Sequence, residues 1–358
     1  MRHVQAAKHA ICWPDARVTG IDISSTSLEH TGVLKRKHNL TNLDTQHLPI
    51  ERVDELGGTY DFIICTGVLH HLADPDAGLR ALRSVLKPDG VIYLMVYAPY
   101  GRTGVYMLQE YCRRLGVGTS QGEIRDLAAV LNALPRHHPL TVLLTGSKDF
   151  AQPDALADAL LNPRDRSYSV PQLFEFIDGA GLELHRWYRQ APYLPQCGAP
   201  AATPHLARLT ALPALEQYAA IELLRGTMTL HNAIVGHKRT GGGRGIQFDD
   251  DRWRSYVPIR LPHTACIQQR LPPGAAAVLL NQSHSFTDLV LPIDAHQKRL
   301  FDAIDGRRAI TGIVEQVSGQ KDDGKKWGRA RAFFERLWAW DQVVFDATET
   351  RATDSTNH

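Results

Sequence analysis

The sequence lacks the features that would make its class obvious at once. Only five of its 358 residues are cysteine, they are odd in number, and no two stand as a CxxC pair. That excludes a disulfide framework and a structural zinc ribbon, and a reducing, cytoplasmic setting is expected. Charge of one sign is missing too: 40 basic against 38 acidic residues leave a net charge of +2, so no global field points to nucleic acid or a membrane surface. The longest apolar stretch, near Val91 to Ala98, is far short of the roughly 20 residues that cross a bilayer. The opening MRHVQAAKHAICW has Lys8 and His9 where a signal peptide would need an apolar core.

A chain of 358 residues with 43% hydrophobic content can bury more than one core, and a large and a small domain are expected. RVTGIDI at 17–23 reads as a strand ending in an acid. The Ser24 to Ser27 run then offers N-cap oxygens to a helix whose last turn gathers Lys35, Arg36, Lys37 and His38, where the helix dipole favours cations. LTNLDT is a weak strand, and YDFIICTG is a strong one of the nearly continuous apolar kind buried on both faces of a parallel sheet. Asp74 and Pro75 cap and open a helix that KPDG should end, and VIYLMVYA is the next strand. The alternation predicts a doubly wound α/β fold with a mostly parallel, Rossmann-like sheet.

Residues 101–166, broken by Pro135, Pro139, Pro153 and Pro163, read as an inserted helical segment, and a second insertion is expected at about 191–226. TGGGRG at 240–245 is the linker signal that places the domain boundary. The first domain is therefore expected to span 1–239, the second 246–347 as a smaller α+β module, and 348–358 a disordered tail.

In open α/β sheets ligands bind beyond the carboxyl ends of the strands. Asp22 ends the first strand, where a carboxylate can accept from both hydroxyls of a ribose; a helix-capping acid is the plain alternative. Asp44 and Thr45 end the next, and could equally form an ordinary turn. Thr66 and Gly67 leave YDFIIC, where a small residue lets a ligand approach the backbone. His70 and His71 follow. Capping is favoured over a general base for them, and because neighbours on a helix diverge, a shared metal or relay is not expected. No catalytic acid or base and no metal site are assigned.

The series VTGIDIS, LDTQHLP, YDFIICTGVLHHLADPDAGLRALRSVLKPDGVIYLMVYAP and YSVPQLFEFIDGAGLEL resembles the class I S-adenosylmethionine-dependent methyltransferases over about the first 240 residues. The resemblance implies S-adenosyl-L-methionine as cofactor, with Asp22 on its ribose, Ile23 against the adenine, Asp44 and Thr45 at the adenine edge, and Thr66 and Gly67 near the donor methyl. Tyr97 and Tyr100 would face a small-molecule or peptidyl acceptor, and Trp187, Tyr188 and Tyr193 could add aromatic walls or pack the insertions. The family's opening strand and GxGxG loop are missing from the sequence. Its place is central in that sheet, so two unpaired edges are expected, a chain that folds poorly alone, and a natural product that starts upstream.

LFDAIDGRRAITGIVEQV is similar to small winged-helix modules. Its second helix carries Glu315 and Gln316 rather than basic side chains, so a protein or peptide contact, or simple capping of the first domain, is expected there and nucleic acid is not. Trp327, Trp338 and Trp340 should pack its core. The leading function is methyl transfer, which needs alignment more than a dedicated acid or base. A methyltransferase-like scaffold without activity is the alternative, and a nicotinamide-dependent dehydrogenase is the least favoured reading.

Overall fold

The computed structural model describes residues 5–146, 152–238, 245–318 and 325–348. The linker at 240–244 and the tail from 349 lie outside them. The chain divides into two compact units. The first takes Met1–Tyr168, Gln172–His185 and Thr229–Lys238, and the second takes Ser169–Pro171, Arg186–Met228 and Arg239–His358. Residues 191–226, expected as an insertion of the first domain, thus group with the C-terminal part.

The first unit begins α1 (Gln5–Cys12), β1 (Val18–Asp22), α2 (Ser25–Lys37), β2 (Leu43–His47), β3 (Tyr60–Thr66), α3 (Pro75–Ser84) and β4 (Leu86–Tyr97). Local chemistry sets the boundaries. The Ser24 hydroxyl accepts from Ser27 N and starts α2, while Asp74 accepts from Ala77 N and Pro75 supplies the first position of α3. KPDG does not form the expected turn. It lies inside β4, where the pairing with β3 shifts register between Tyr60 and Phe62.

Four strands form one sheet in the order β3, β4, β6 (Leu230–His237) and β5 (Leu182–Trp187), with β4 parallel to β3 and antiparallel to β6. β1 and β2 pair in parallel as a separate ribbon. Among the described residues β1 has no partner but β2, and β3 none but β4. The fold is the expected α/β one with strands of the first half parallel.

Two consequences of the free edges differ from expectation. β3 is not buried on both faces: only Cys65 is buried and Phe62 is 43% exposed. No residue of β1 is fully buried, so its edge amides do not carry the full penalty of groups sealed from water. α1 touches both sheets. Its Ala7 and Ala10 pack with Leu40 and Leu43, Gln5 Oε1 accepts from Thr66 Oγ1 at 3.2 Å, and Trp13 just beyond its end meets Phe62 edge-on.

After β4 come α4 (Thr103–Leu115), α5 (Gln121–Asn132), α6 (Thr141–Gly146) and α7 (Pro153–Leu161), the expected helical insertion. Val105, Leu108 and Cys112 of α4 bury against Leu127 and Leu131 of α5 and Leu156 and Leu160 of α7, with Leu140 between them. α8 (Val170–Gly179) then leads into β5.

The second unit holds α9 (Leu206–Thr210), α10 (Ala214–Arg225), the strands β7 (Val257–Arg260), β8 (Thr264–Ile267), β9 (Ala277–Asn281), β10 (Val290–Ile293) and β11 (Val343–Asp346), and α11 (Ala295–Asp302), α12 (Ile310–Ser318) and α13 (Lys326–Ala339). Its strands form two antiparallel sheets, β10–β9–β8 and β11–β7, where a winged helix had suggested a single strand pair. Its core runs through Phe301, Ile313, Phe333, Phe334 and Trp340, with Trp327 and Trp338 packed against it.

Gly104 marks the tightest helix approach in the insertion: a Cβ there would lie 2.1 Å from Leu140 N. Gly104→Ala is expected to lower stability by about 1–3 kcal/mol through overpacking. Gly122→Ala, on α5 with nothing within 4 Å, should be neutral or stabilising. Urea unfolding of the two variants checks this, and equal midpoints would contradict it.

Candidate functional site

Polar residues stand at the carboxyl ends of β1, β3 and β4. At the end of β1 the Asp22 carboxylate accepts from Ser24 N at 2.8 Å, and Asp22 O accepts from Leu48 N at 3.2 Å. This tight corner fixes the acid beside the start of α2. Ile23 follows at 70% exposure, its carbonyl 2.9 Å from His47 Nε2.

Asp44 and Thr45 are not at a strand end. They sit at the second and third positions of β2, opposite Thr19 and Gly20, and the strand runs on to His47. Asp44 is spent on Arg17 and Lys35 at 3.8 and 3.7 Å, at the end of the ribbon away from Asp22. The sequence reading placed the strand too early because LTNLD looked like its body; the chain is still turning there.

At the end of β3, Gly67 takes φ +72, a conformation that L side chains rarely adopt, and its N donates to Met95 O at 3.4 Å. The left-handed turn lets a single 3-10 turn, Leu69–His71, fold straight back over the sheet end. His70 and His71 lie on that turn rather than on a regular helix. Their rings do not diverge: the centroids are 4.2 Å apart.

Tyr97, the last residue of β4, lies among these groups. The His70 ring is 4.1 Å away, the Arg102 guanidinium stands 3.5 Å over its face, and His71 meets it edge-on at 5.8 Å. Tyr97 is therefore packed, while Tyr100, in the following turn, is 41% exposed. Trp187 and Tyr193 stack at 3.8 Å with Tyr218 edge-on in the second unit, both buried, and Tyr188 is 53% exposed. Trp187 and Tyr193 are packing residues there.

The group that sequence reasoning missed is Asp165, on the segment joining α7 to α8. Its side chain is 1% exposed. Oδ2 accepts from Arg102 Nη2 at 3.0 Å and from Gln109 Nε2 at 2.8 Å. Among the described residues Oδ1 accepts no hydrogen bond, and it lies 4.0 Å from His71 Nδ1. A buried acceptor left so costs about 1–3 kcal/mol. Backbone bonds clamp this segment to the sheet end: Arg166 N donates to His70 O and Tyr168 N to Tyr97 O. Nothing in one-dimensional spacing links residue 165 to residue 71; only the insertion's return path does. Burial raises the Tyr106 hydroxyl above its ordinary range, offset in part by Ser167 and Arg102.

Residues 2–92 match the family model described as a methyltransferase domain. An uncharacterised protein of Synechococcus is 31% identical over 240 residues, 62% of this chain and 55% of its own length. A ubiquinone biosynthesis O-methyltransferase of Bordetella avium is 32% identical over 88 residues, 24% of this chain and 35% of that protein. The chain thus spans about half or less of the curated relatives it matches. Among solved structures, PKMT2 from Rickettsia typhi superposes with a TM-score of 0.67 at 14% identity, covering 97% of this chain and 69% of that one. The same protein in complex with AdoHcy gives 0.65 at 15% identity, covering 94% and 68%. Residues 2–92 are thus similar to a methyltransferase domain, and the chain shares the Rossmann-like α/β fold of these structures. No helix among the described residues is long and apolar enough to cross a membrane.

Cys65 lies just before Thr66 at the site, and burial pushes its thiol up to about 12. At pH 8 its thiolate fraction is then on the order of one in ten thousand, and it rises only as the pH climbs. Native alkylation at pH 8 is expected to modify exposed Cys12 and spare Cys65 until the chain is denatured. Peptide mapping reads this, and prompt labelling of Cys65 would contradict the closed packing beneath Thr66.

Proposed function

We propose that this chain binds S-adenosylmethionine at the carboxyl ends of β1 and β3 and transfers its methyl group to a small-molecule or peptidyl acceptor. The observation that carries the reading is the corner at Asp22. A carboxylate is held at the end of a parallel strand by a backbone amide, beside an exposed apolar Ile23, within the stretch that matches the methyltransferase domain. Asp22 would accept from the ribose hydroxyls and Ile23 would cover one face of the adenine. Thr66 and the open backbone at Gly67 would lie along the donor methyl, and Tyr100, with the edge of Tyr97, would face the acceptor. Asp44 and Thr45 are left out, because Asp44 pairs with Arg17 and Lys35 at the other end of β2.

Such a transfer is a direct displacement. The acceptor's lone pair forms a bond to the methyl carbon as the carbon–sulfur bond breaks, and sulfur keeps the electron pair. The protein's part is alignment and exclusion of water, worth several kcal/mol without any acid or base.

Isothermal titration with S-adenosylmethionine tests the assignment. The wild-type chain is expected to bind, and Asp22→Ala to bind about 100-fold more weakly, the equivalent of two charge-assisted bonds at about 1.5 kcal/mol each. Asp44→Ala should change the affinity less than about twofold. Absence of binding heat in the folded wild type would favour the non-catalytic scaffold, and equal loss in both variants would remove Asp22 from the site.

A further inference from the structure

The cluster at the end of β3 and β4 has the composition of a metal site. One nitrogen from each of His70 and His71 and one oxygen of Asp165 lie within 4.8 Å of one another. His70 is fully buried, and the side chains of His71 and Asp165 are 15% and 1% exposed. The set is assembled from two distant parts of the chain, the turn after β3 and the return of the inserted segment. We propose that His70, His71 and Asp165 bind a divalent transition metal of the Zn2+ type, which fastens the inserted segment to the carboxyl end of the sheet.

Four observations support this. First, Asp165 Oδ1 is a buried carboxylate oxygen that accepts no hydrogen bond among the described residues, and it faces an imidazole nitrogen at 4.0 Å, too long for a bond and about 0.6 Å beyond the span of two ligands across a tetrahedral cation. Second, the other oxygen is held by both Arg102 and Gln109, so the carboxylate presents Oδ1 in a fixed direction. Partners that orient a ligand from behind are the usual support of a metal site. Third, two imidazoles with one carboxylate suit Zn2+ and its neighbours in the first row, whereas Mg2+ and Ca2+ prefer oxygen alone. Fourth, Asn162 Nδ2, now 3.2 Å from His71 Nδ1, lies 3.5 Å from Asp158 Oδ1, so the amide has another acceptor to turn to. Zinc–ligand distances of about 2.0–2.2 Å ask the widest pair of ligands, within 4.8 Å, to draw in by up to about 1.4 Å.

The site needs no S-adenosylmethionine, so its test stands apart from the assignment of Asp22. The chain is stripped with a chelator and titrated with Co2+, whose ligand-field bands report nitrogen and oxygen ligation directly. One Co2+ per chain is expected, displaced by Zn2+ and not by Mg2+, with a rise in the thermal midpoint. His71→Ala should weaken binding by roughly 100-fold or more, and Gln109→Leu by about 10–100-fold. Should His71→Ala fail to fold, Gln109→Leu carries the comparison. A folded wild type that shows no bands overturns the proposal, as do bands undiminished in whichever variants fold.

Discussion

Strand β4 is the member on which the first unit depends. Its residues Val91–Met95 pair with β3 on one side and β6 on the other, so the backbone groups of that stretch are satisfied along both edges. Ile92, Leu94 and Val96 are fully buried on one face, and Tyr93 on the other donates to Asn232 Oδ1 of β6. The alternation then delivers Tyr97 to the strand's carboxyl end. Everything gathered there is placed relative to that ring: His70 and His71 from the turn after β3, Arg102 from the start of the insertion, and Asp165 from its return.

The free edges of β1 and β3 explain a second set of features. Among the described residues each of these strands has one partner, and beside the open edges Phe62 is exposed and no residue of β1 is fully buried. α1 links the two sheets with modest contacts, a side-chain hydrogen bond and one aromatic edge. Asp22 is held by local bonds to Ser24 and Leu48, so its geometry does not rely on the exposed edge.

What the sequence disclosed follows period and local chemistry. The strand ending at Asp22, the caps at Ser24 and Asp74, the helical insertion and the tryptophans of the second core were all legible, because each is set by residues within a few positions or by hydrophobic content. Asp44 was misplaced because a short polar strand has little pattern to mark its ends. The histidine pair was misjudged because divergence of neighbours holds for a regular helix, and the left-handed Gly67 sets up a tight turn instead. Asp165 was invisible because its partners are 63 and 56 residues away. The two small sheets of the second unit escaped for a similar reason: β7 pairs with β11 across the whole domain.

The central claim is that the donor nucleoside lies across the ends of β1 and β3. Ultraviolet cross-linking of radiolabelled S-adenosylmethionine to the native chain, followed by peptide mapping, tests it most directly. The account predicts label in peptides that contain Asp22–Ile23 or Thr66–Gly67, and competition by S-adenosylhomocysteine. Label confined to residues beyond 245, or incorporation that S-adenosylhomocysteine leaves unchanged, would contradict it.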